Sequence, residues 1–263
     1  MRRINFINPF GSVAYDAIIE KTLGHYGADG TEMVVTHLDN CPPDIDFFYN
    51  KHMIEQSLYE EVMRSEGAGF DAVIIGCLYD PGLRVARELV DIPVIGPLEA
   101  SFQMAANFGH STMVLTDHRK AVPYIYDEIR LRGQGATVKG VDAIDWFVKD
   151  MIGDRASVAG DVVRLSTAAA QKFGAETVIM GCTIIAAIYQ EYLMEGGRPA
   201  EVPILNPNLL ALKMAEGLAD LHRKGAYTLA RSGYYMKPTG HFEAEFKRAR
   251  RIWNRSKPDF TGS

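Results

Sequence analysis

Hydrophobic residues in this chain form short continuous runs, and four of these runs are followed by a longer segment in which apolar residues recur at helical spacing. The runs that predict strands are residues 4–7, 32–37, 72–75, 112–115, 136–141 and 177–180. The segments that predict helices are residues 13–26, 53–67, 121–132 and 157–173. Strands that are apolar throughout are typical of parallel sheets covered on both faces, so the pattern indicates an α/β fold.

Two segments, one in each half of the chain, share the same order of residues. Val73-Ile74-Ile75-Gly76-Cys77 corresponds to Val178-Ile179-Met180-Gly181-Cys182, and each is a hydrophobic strand that runs into Gly-Cys. Downstream, residues 92–105 align without a gap with residues 202–215, and in each copy a short strand ends at a proline before an apolar-periodic helix. The cysteines are 105 positions apart (182 − 77) and the aligned prolines 110 (203 − 93). The second half therefore has five additional residues, which we place in a surface loop at residues 194–200.

This repeat predicts two pseudo-symmetric, parallel-sheet α/β domains. We expect the first domain to comprise residues 1–98 and 208–263 and the second to comprise residues 99–207. Ligands of such sheets bind at the carboxyl ends of the strands. Two facing half-sites would thus form one active-site cleft between the domains.

The composition of the chain disfavours several kinds of binding partner. The chain has 263 residues, 47% of them hydrophobic, and a net charge of −5, which disfavours nucleic acid and anionic membranes. It has no apolar run of the roughly 20 residues that a membrane helix needs, and no signal-peptide pattern at Met1. Three cysteines without CxxC spacing disfavour a disulfide framework and a metal site. We expect a cytoplasmic homo-oligomer that acts on a small molecule.

Cysteine at a strand end suits proton transfer. There the chain turns towards a helix, whose N–H groups and dipole lower the pKa of a thiol, and the preceding glycine lets the backbone approach a ligand. Two thiols on opposite sides of one carbon can remove and return its proton from opposite faces. A buried cysteine is more often a core residue, and it is the duplication that favours catalysis for Cys77 and Cys182. Cys41 has no duplicate, and we expect it to be structural.

Further short strings accompany the two Gly-Cys pairs. They are Ile7-Asn8-Pro9, then Asp80-Pro81-Gly82-Leu83, then Pro93-Val94-Ile95-Gly96 with Glu99-Ala100. In order and spacing the set resembles the Asp/Glu/hydantoin racemase superfamily, most of all its hydantoin and allantoin racemase branch. The resemblance implies a cofactor-independent racemase with Cys77 and Cys182 as the paired acid and base. It also implies a substrate pocket lined by Asn8, Phe10, Gly11, Ser12, Leu78, Tyr79, Thr116, Asp117, Thr183 and Ile184.

Three departures from that branch leave the substrate open. Phe10-Gly11-Ser12 stands where hydantoin racemases usually have Asn-Thr, and Leu78-Tyr79 replaces small residues. Thr183-Ile184-Ile185 replaces Ala-Gly-Met and is closer to the Gly-Cys-Thr of aspartate and glutamate racemases. We expect inversion of a 5-substituted hydantoin or allantoin. The alternatives are an amino-acid or dicarboxylate racemase or isomerase, an arylmalonate-type decarboxylase, and a two-lobed small-molecule binding protein.

Single polar residues admit two interpretations each. Asn8 is either a donor to a substrate carbonyl or a turn residue, and Thr183 either a donor to an enolate oxygen or a helix N-cap. His118 is either a general acid or a surface histidine in a loop, and we expect the surface position. We expect Glu99 to support a helix start.

The C-terminal segment differs from the rest of the chain in being rich in basic residues. Its basic run, with Trp253, predicts a solvated helix or a subunit contact rather than a nucleic-acid site. The run consists of Lys247, Arg248, Arg250, Arg251, Arg255 and Lys257.

Overall fold

The computed structural model describes residues 1–255, which contain two four-stranded sheets with every strand parallel. The first sheet has the order β2-β1-β3-β4 and consists of β1 (Arg2–Asn8), β2 (Thr31–His37), β3 (Ala72–Ile75) and β4 (Val94–Ile95). The second has the order β6-β5-β7-β8 and consists of β5 (Thr112–Thr116), β6 (Val138–Ala143), β7 (Thr177–Met180) and β8 (Ile204–Leu205). Equivalent strands occupy equivalent places, so the predicted pair of parallel α/β units is confirmed.

Helices connect the strands and cover the faces of the sheets. Those of the first half are α1 (Asp16–Tyr26), α2 (Phe48–Gly67), α3 (Leu83–Leu89) and α4 (Pro97–Met104). Those that follow are α5 (Ala121–Leu131), α6 (Val148–Met151), α7 (Arg155–Phe173), α8 (Thr183–Met194), α9 (Pro207–Arg223) and α10 (His241–Arg255). Each predicted strand and helix is present. The largest shift is that of α2, which begins at Phe48, five residues before the predicted start at 53.

The two halves pack together through equivalent helices. Both α4 and α9 begin with a proline, whose fixed φ suits the first helical position, and they contact each other. Helix α9 follows the second sheet in sequence, yet it packs against β1 and β3 of the first. The domain boundaries at 98 and 208 stay a prediction.

The additional residues of the second half lie in one loop. The helix after each Gly-Cys ends twelve positions beyond the cysteine, at Leu89 (89 − 77) and at Met194 (194 − 182). The next strand begins at Val94 in the first half and at Ile204 in the second, so the connections are four and nine residues long. The five-residue insertion therefore lies in residues 195–203, as the repeat predicted.

Helix α10 stands apart from both cores. It has no buried residue among those described, and Arg250 joins it to α2 through two hydrogen bonds to Glu60. Lys257 of the predicted basic run lies outside the described residues. Within residues 1–255, no helix has the length and apolar character that crossing a bilayer requires.

Candidate active site

The carboxyl ends of β3 and β7 bring Cys77 and Cys182 to one cavity between the two halves. The cavity has a volume of about 30 Å³, enough for one or two water molecules. Predicted site residues from both halves line it together. They are Phe10, Cys77, Leu78, Tyr79, Asp117, Cys182, Thr183 and Ile184.

Four other predicted site residues do not line this cavity, namely Asn8, Gly11, Ser12 and Thr116. The amide of Asn8 is fully buried and donates to the carboxylate of Asp16. The hydroxyl of Thr116 donates to the carbonyl of Gly181 at 3.0 Å, which ties β5 to the end of β7. These two side chains hold the strand ends in place, and the cavity geometry gives their predicted substrate contacts no support.

The turn after Asn8 is shaped by a contact with a neighbouring loop. A Cβ on Gly11 would lie 2.0 Å from the carbonyl oxygen of Cys41, so glycine is required there for backbone packing. The Ser12 hydroxyl accepts a hydrogen bond from the Ala14 N–H at 3.2 Å. Cys41 itself is buried and lies away from the cavity, which agrees with a structural role.

The glycine before each cysteine lets that chain pass close to a neighbouring strand. A Cβ on Gly76 would lie 2.2 Å from the ring of Phe6, and one on Gly181 would lie 2.5 Å from the Cα of Thr116. The sequence predicted that these glycines let the backbone approach a ligand, and the structure shows a packing role as well. Each glycine also lets its cysteine follow the central strand of the sheet without a clash.

Cys77 is partly buried, and its sulfur accepts a hydrogen bond from the Tyr79 N–H at 3.4 Å. Burial raises the pKa of the Cys77 thiol to about 12, against the opposing effects of that N–H group and of the Lys51 ammonium. The expectation that position at a strand end lowers the thiol pKa is wrong for this cavity. Burial is the largest cause, and the helix that follows Cys77, α3, begins only at Leu83, whereas α8 begins directly after Cys182.

Cys182 is the N-cap residue of α8 and is 7% exposed. The backbone N–H groups of Ile184 and Ile185 favour its thiolate, as the sequence predicted for a helix start. Burial nevertheless raises the pKa of the Cys182 thiol well above its usual value, and the Asp117 carboxylate raises it further. The expected lowering is therefore wrong here too, because desolvation outweighs the helix terminus.

Thr183 joins the two half-sites. Its hydroxyl donates to the Gly76 carbonyl at 2.9 Å, and its own carbonyl accepts the Asn208 amide at 2.8 Å. The N-cap position belongs to Cys182 rather than to Thr183. Since the hydroxyl is already engaged, it is not free to donate to an enolate.

A buried acidic cluster lies beside the thiols. Burial raises the pKa of Asp46 to about 6 and also raises the pKa of Asp117. His118 is 3% exposed, so the expectation of a surface position is wrong; its ring stacks on Phe147 at 4.9 Å. Its Nε2 lies 3.7 Å from Asp46 and 3.9 Å from Asp117, and one donor atom from each of the three falls within 4.8 Å of the others. The donor set suits a divalent cation.

Three residues of the cavity wall were missed by the sequence reasoning, namely Ile45, Asp46 and Val148. Asp46 accepts a hydrogen bond from the Val148 N–H at 3.3 Å, which connects the loop before α2 with the start of α6. Neither segment belongs to the internal repeat. The sequence contains no signal for Asp46, because the alternation at residues 44–47 predicts a buried Phe47 and an exposed Asp46, whereas Asp46 is buried and Phe47 is exposed.

Glu99 supports the fold, as expected. It lies in the first turn of α4 and forms ion pairs with Arg87 and Arg132. Arg132 also binds Asp80 at 3.0 Å, and the Asp80 carboxylate in turn accepts the N–H groups of Leu98 and Glu99. This network joins the loop after Cys77 to α4 outside the cavity.

Known proteins resemble the chain over most of its length. The family model for Asp/Glu/Hydantoin racemase matches residues 4–215. Hydantoin racemase from Pseudomonas sp. (strain NS671) is 26% identical over 222 residues, 84% of this chain and 88% of that one. Hydantoin racemase from Rhizobium meliloti is 28% identical over 216 residues, 82% of this chain and 88% of the other. Allantoin racemase from Klebsiella pneumoniae superposes with a TM-score of 0.81 at 25% identity, covering 91% of this chain and 95% of that structure. This chain therefore belongs to the Asp/Glu/hydantoin racemase family.

Proposed function

We propose that the protein is a cofactor-independent racemase that inverts the carbon next to a carbonyl, most specifically C5 of a 5-substituted hydantoin or allantoin. The observation that carries the proposal is the meeting of two cysteines, from equivalent strands of two similar halves, in one cavity. The relatives named hydantoin racemase support the substrate class.

The chemistry follows from two thiols on opposite sides of one carbon. The thiolate of one cysteine removes the proton, the electron pair passes into an enolate, and the thiol of the other cysteine protonates the opposite face. The roles reverse for the other enantiomer. Because burial raises the pKa of both Cys77 and Cys182, a thiolate formed in the cavity is a strong base. The two titrations are coupled, since each cycle begins with one sulfur charged and one neutral.

The charges around the cavity favour a neutral substrate with N–H groups. Asp46 and Asp117 line the cavity, and none of its described lining residues is lysine or arginine. The carboxylates of aspartate or glutamate would meet like charge there, whereas the N–H groups of a hydantoin ring would donate to these acids. Decarboxylation requires only one proton donor, so the second thiol argues against it. A binding protein would need neither thiol.

The test is a polarimetric screen of optically pure 5-substituted hydantoins, allantoin, aspartate and glutamate in deuterated water. We expect inversion of a hydantoin or allantoin with deuterium in the inverted product. Cys77→Ser and Cys182→Ser should each abolish inversion, whereas Cys41→Ser should not. Full activity in either active-site variant, or inversion of neither a 5-substituted hydantoin nor allantoin, would overturn the proposal.

We also propose a cytoplasmic homo-oligomer whose partner is the small-molecule substrate, without nucleic-acid or membrane binding. The net charge of −5 supports the exclusion of polyanions. The exposed apolar side chains of Phe242 and Ile252 on α10 support a contact between subunits. Size-exclusion chromatography with light scattering tests this, and a monomer at all concentrations would contradict it.

A further inference from the structure

Tyr79 has a buried hydroxyl with no hydrogen-bond partner among residues 1–255. Its side chain lines the cavity of the two cysteines, and the residue is 6% exposed. Burying a hydroxyl without a partner costs folding free energy, and such groups in native proteins call for an explanation. A substrate atom in the cavity would supply the missing partner.

The electrostatic neighbours of this hydroxyl belong to the catalytic cavity. After burial, the groups that raise the pKa of Tyr79 are Asp117, Cys77, Cys182 and Asp46. All four of these groups also line the cavity. The raised pKa also keeps Tyr79 protonated, so that it acts as a donor.

The position of Tyr79 is fixed from behind. Its N–H donates to the Cys77 sulfur at 3.4 Å, and its carbonyl accepts the Tyr124 hydroxyl at 3.1 Å. The ring of Tyr124 packs edge-on against that of Tyr79 at 4.7 Å. A donor held in this way needs little reorganisation when charge develops next to it.

Among the described residues that line the cavity, Tyr79 and Thr183 are the two with a side-chain hydroxyl. That of Thr183 already donates to the Gly76 carbonyl. Asp46 and Asp117, when ionised, only accept hydrogen bonds. This leaves Tyr79 as the free hydroxyl donor for a substrate oxygen.

We propose that the Tyr79 hydroxyl donates a hydrogen bond to the substrate carbonyl oxygen that becomes the enolate oxygen. The inference rests on the proposed racemase function and assigns Tyr79 as a catalytic residue. As the C–H bond breaks, its proton passes to the thiolate and its electron pair forms the C=C bond. The carbonyl π electrons move to oxygen, where the Tyr79 O–H bond stays intact and its hydrogen bond strengthens. Protonation by the second thiol reverses the electron flow.

The test is Tyr79→Phe, which removes the hydroxyl and keeps the ring packed on Tyr124. Loss of one donor to a developing oxyanion lowers kcat by about 10²–10³-fold, and we expect KM to change much less. The matched control is Tyr189→Phe, which also loses one buried hydroxyl, bonded to the Ala200 N–H at 3.1 Å outside the cavity. Its kcat should stay at the wild-type value.

Two further measurements keep the outcome clear. Circular dichroism and thermal unfolding should show that both tyrosine variants fold. Wild-type kcat in Tyr79→Phe, or a higher KM with unchanged kcat, would overturn the assignment of Tyr79. If the serine variants of Cys77 and Cys182 still lose inversion in that case, the racemase function stands without it.

Discussion

The two half-sites of the cavity share the same short sequence, yet the two cysteines have different surroundings. Cys77 is followed by a five-residue loop before α3, and its sulfur accepts a single N–H at 3.4 Å. Cys182 leads directly into α8, whose first N–H groups face its sulfur. The duplicated strand thus determines where each sulfur lies. The residues directly after each Gly-Cys pair determine which groups stabilise its thiolate.

The strongest charge near each sulfur differs in sign, although Asp117 and Asp80 also raise the pKa of the Cys77 thiol. Lys51 on α2 is 7% exposed, its closest carboxylate is Glu55 at 3.8 Å, and its ammonium lowers the pKa of Cys77 against the effect of burial. Near Cys182 the strongest charge is the Asp117 carboxylate, which raises the thiol pKa. We infer that the thiolate forms more readily at Cys77, with Cys182 as the resting acid.

The strongest way to break this comparison is to remove one sulfur at a time. In deuterated water, Cys182→Ser keeps Cys77 as a base and should exchange the C5 proton of one enantiomer without inverting it. Cys77→Ser should exchange only the other enantiomer, and more slowly, because Asp117 opposes the remaining thiolate. We expect inversion to fall by about 10³-fold or more in both variants, in line with loss of an acid–base group.

Proton NMR on each pure enantiomer measures these exchange rates. Equal exchange of both enantiomers in either variant would show that one sulfur reaches both faces. Faster exchange in Cys77→Ser than in Cys182→Ser would reverse the inferred order of the two thiols.

A second comparison concerns the glycines before the cysteines. Gly76→Ala and Gly181→Ala should each lower the free energy of unfolding by about 1–3 kcal/mol, as overpacking does. Gly181→Ala should cost more, because the three nearest atoms are the Thr116 Cα, Cβ and N, whereas a Cβ at Gly76 meets first the Phe6 ring and then, at 2.7 Å, the Ile7 carbonyl oxygen. Chemical denaturation measures both.

The control for this pair is Gly24→Ala in α1, where nothing lies within 4 Å of an added Cβ. It should gain about 0.5–1 kcal/mol, since alanine is the better helix former. A larger loss in Gly76→Ala than in Gly181→Ala would mean that the Phe6 ring is the less yielding neighbour.

The sequence predicted the sheets and the meeting of the sulfurs because both depend on local patterns. Apolar runs that end in Gly-Cys identify the strands, and the doubled spacing implies facing half-sites. The five-residue insertion could also be placed, because only the segment after α8 differs in length between the copies.

The electrostatics of the cavity could not be predicted in the same way. Asp46 lies outside the repeat. The sequence around His118 predicts an exposed loop, and only the folded structure stacks the Phe147 ring on it. The thiol pKa depends on how completely the neighbouring elements exclude water, and that follows from tertiary packing rather than from position at a strand end. For this reason the predicted direction of the shift was wrong at Cys77 and Cys182.

The smallest expected effect concerns Lys51, whose ammonium lowers the pKa of the Cys77 thiol. Lys51→Met removes a positive charge that favours the Cys77 thiolate, so the pKa of that thiol rises and a smaller fraction is ionised at neutral pH. A buried charge that acts over several ångströms through an effective dielectric constant of about 20 contributes about 1–2 kcal/mol, so kcat/KM at pH 7 should fall about tenfold. The increase of kcat/KM with pH should shift to higher pH, and the difference from wild type should narrow in alkaline buffer.

The control is Lys139→Met, which removes an exposed ammonium bonded to the Ala136 carbonyl and should leave the pH profile unchanged. A uniform loss at every pH would instead mean that Lys51 supports the fold of α2 rather than the charge on Cys77.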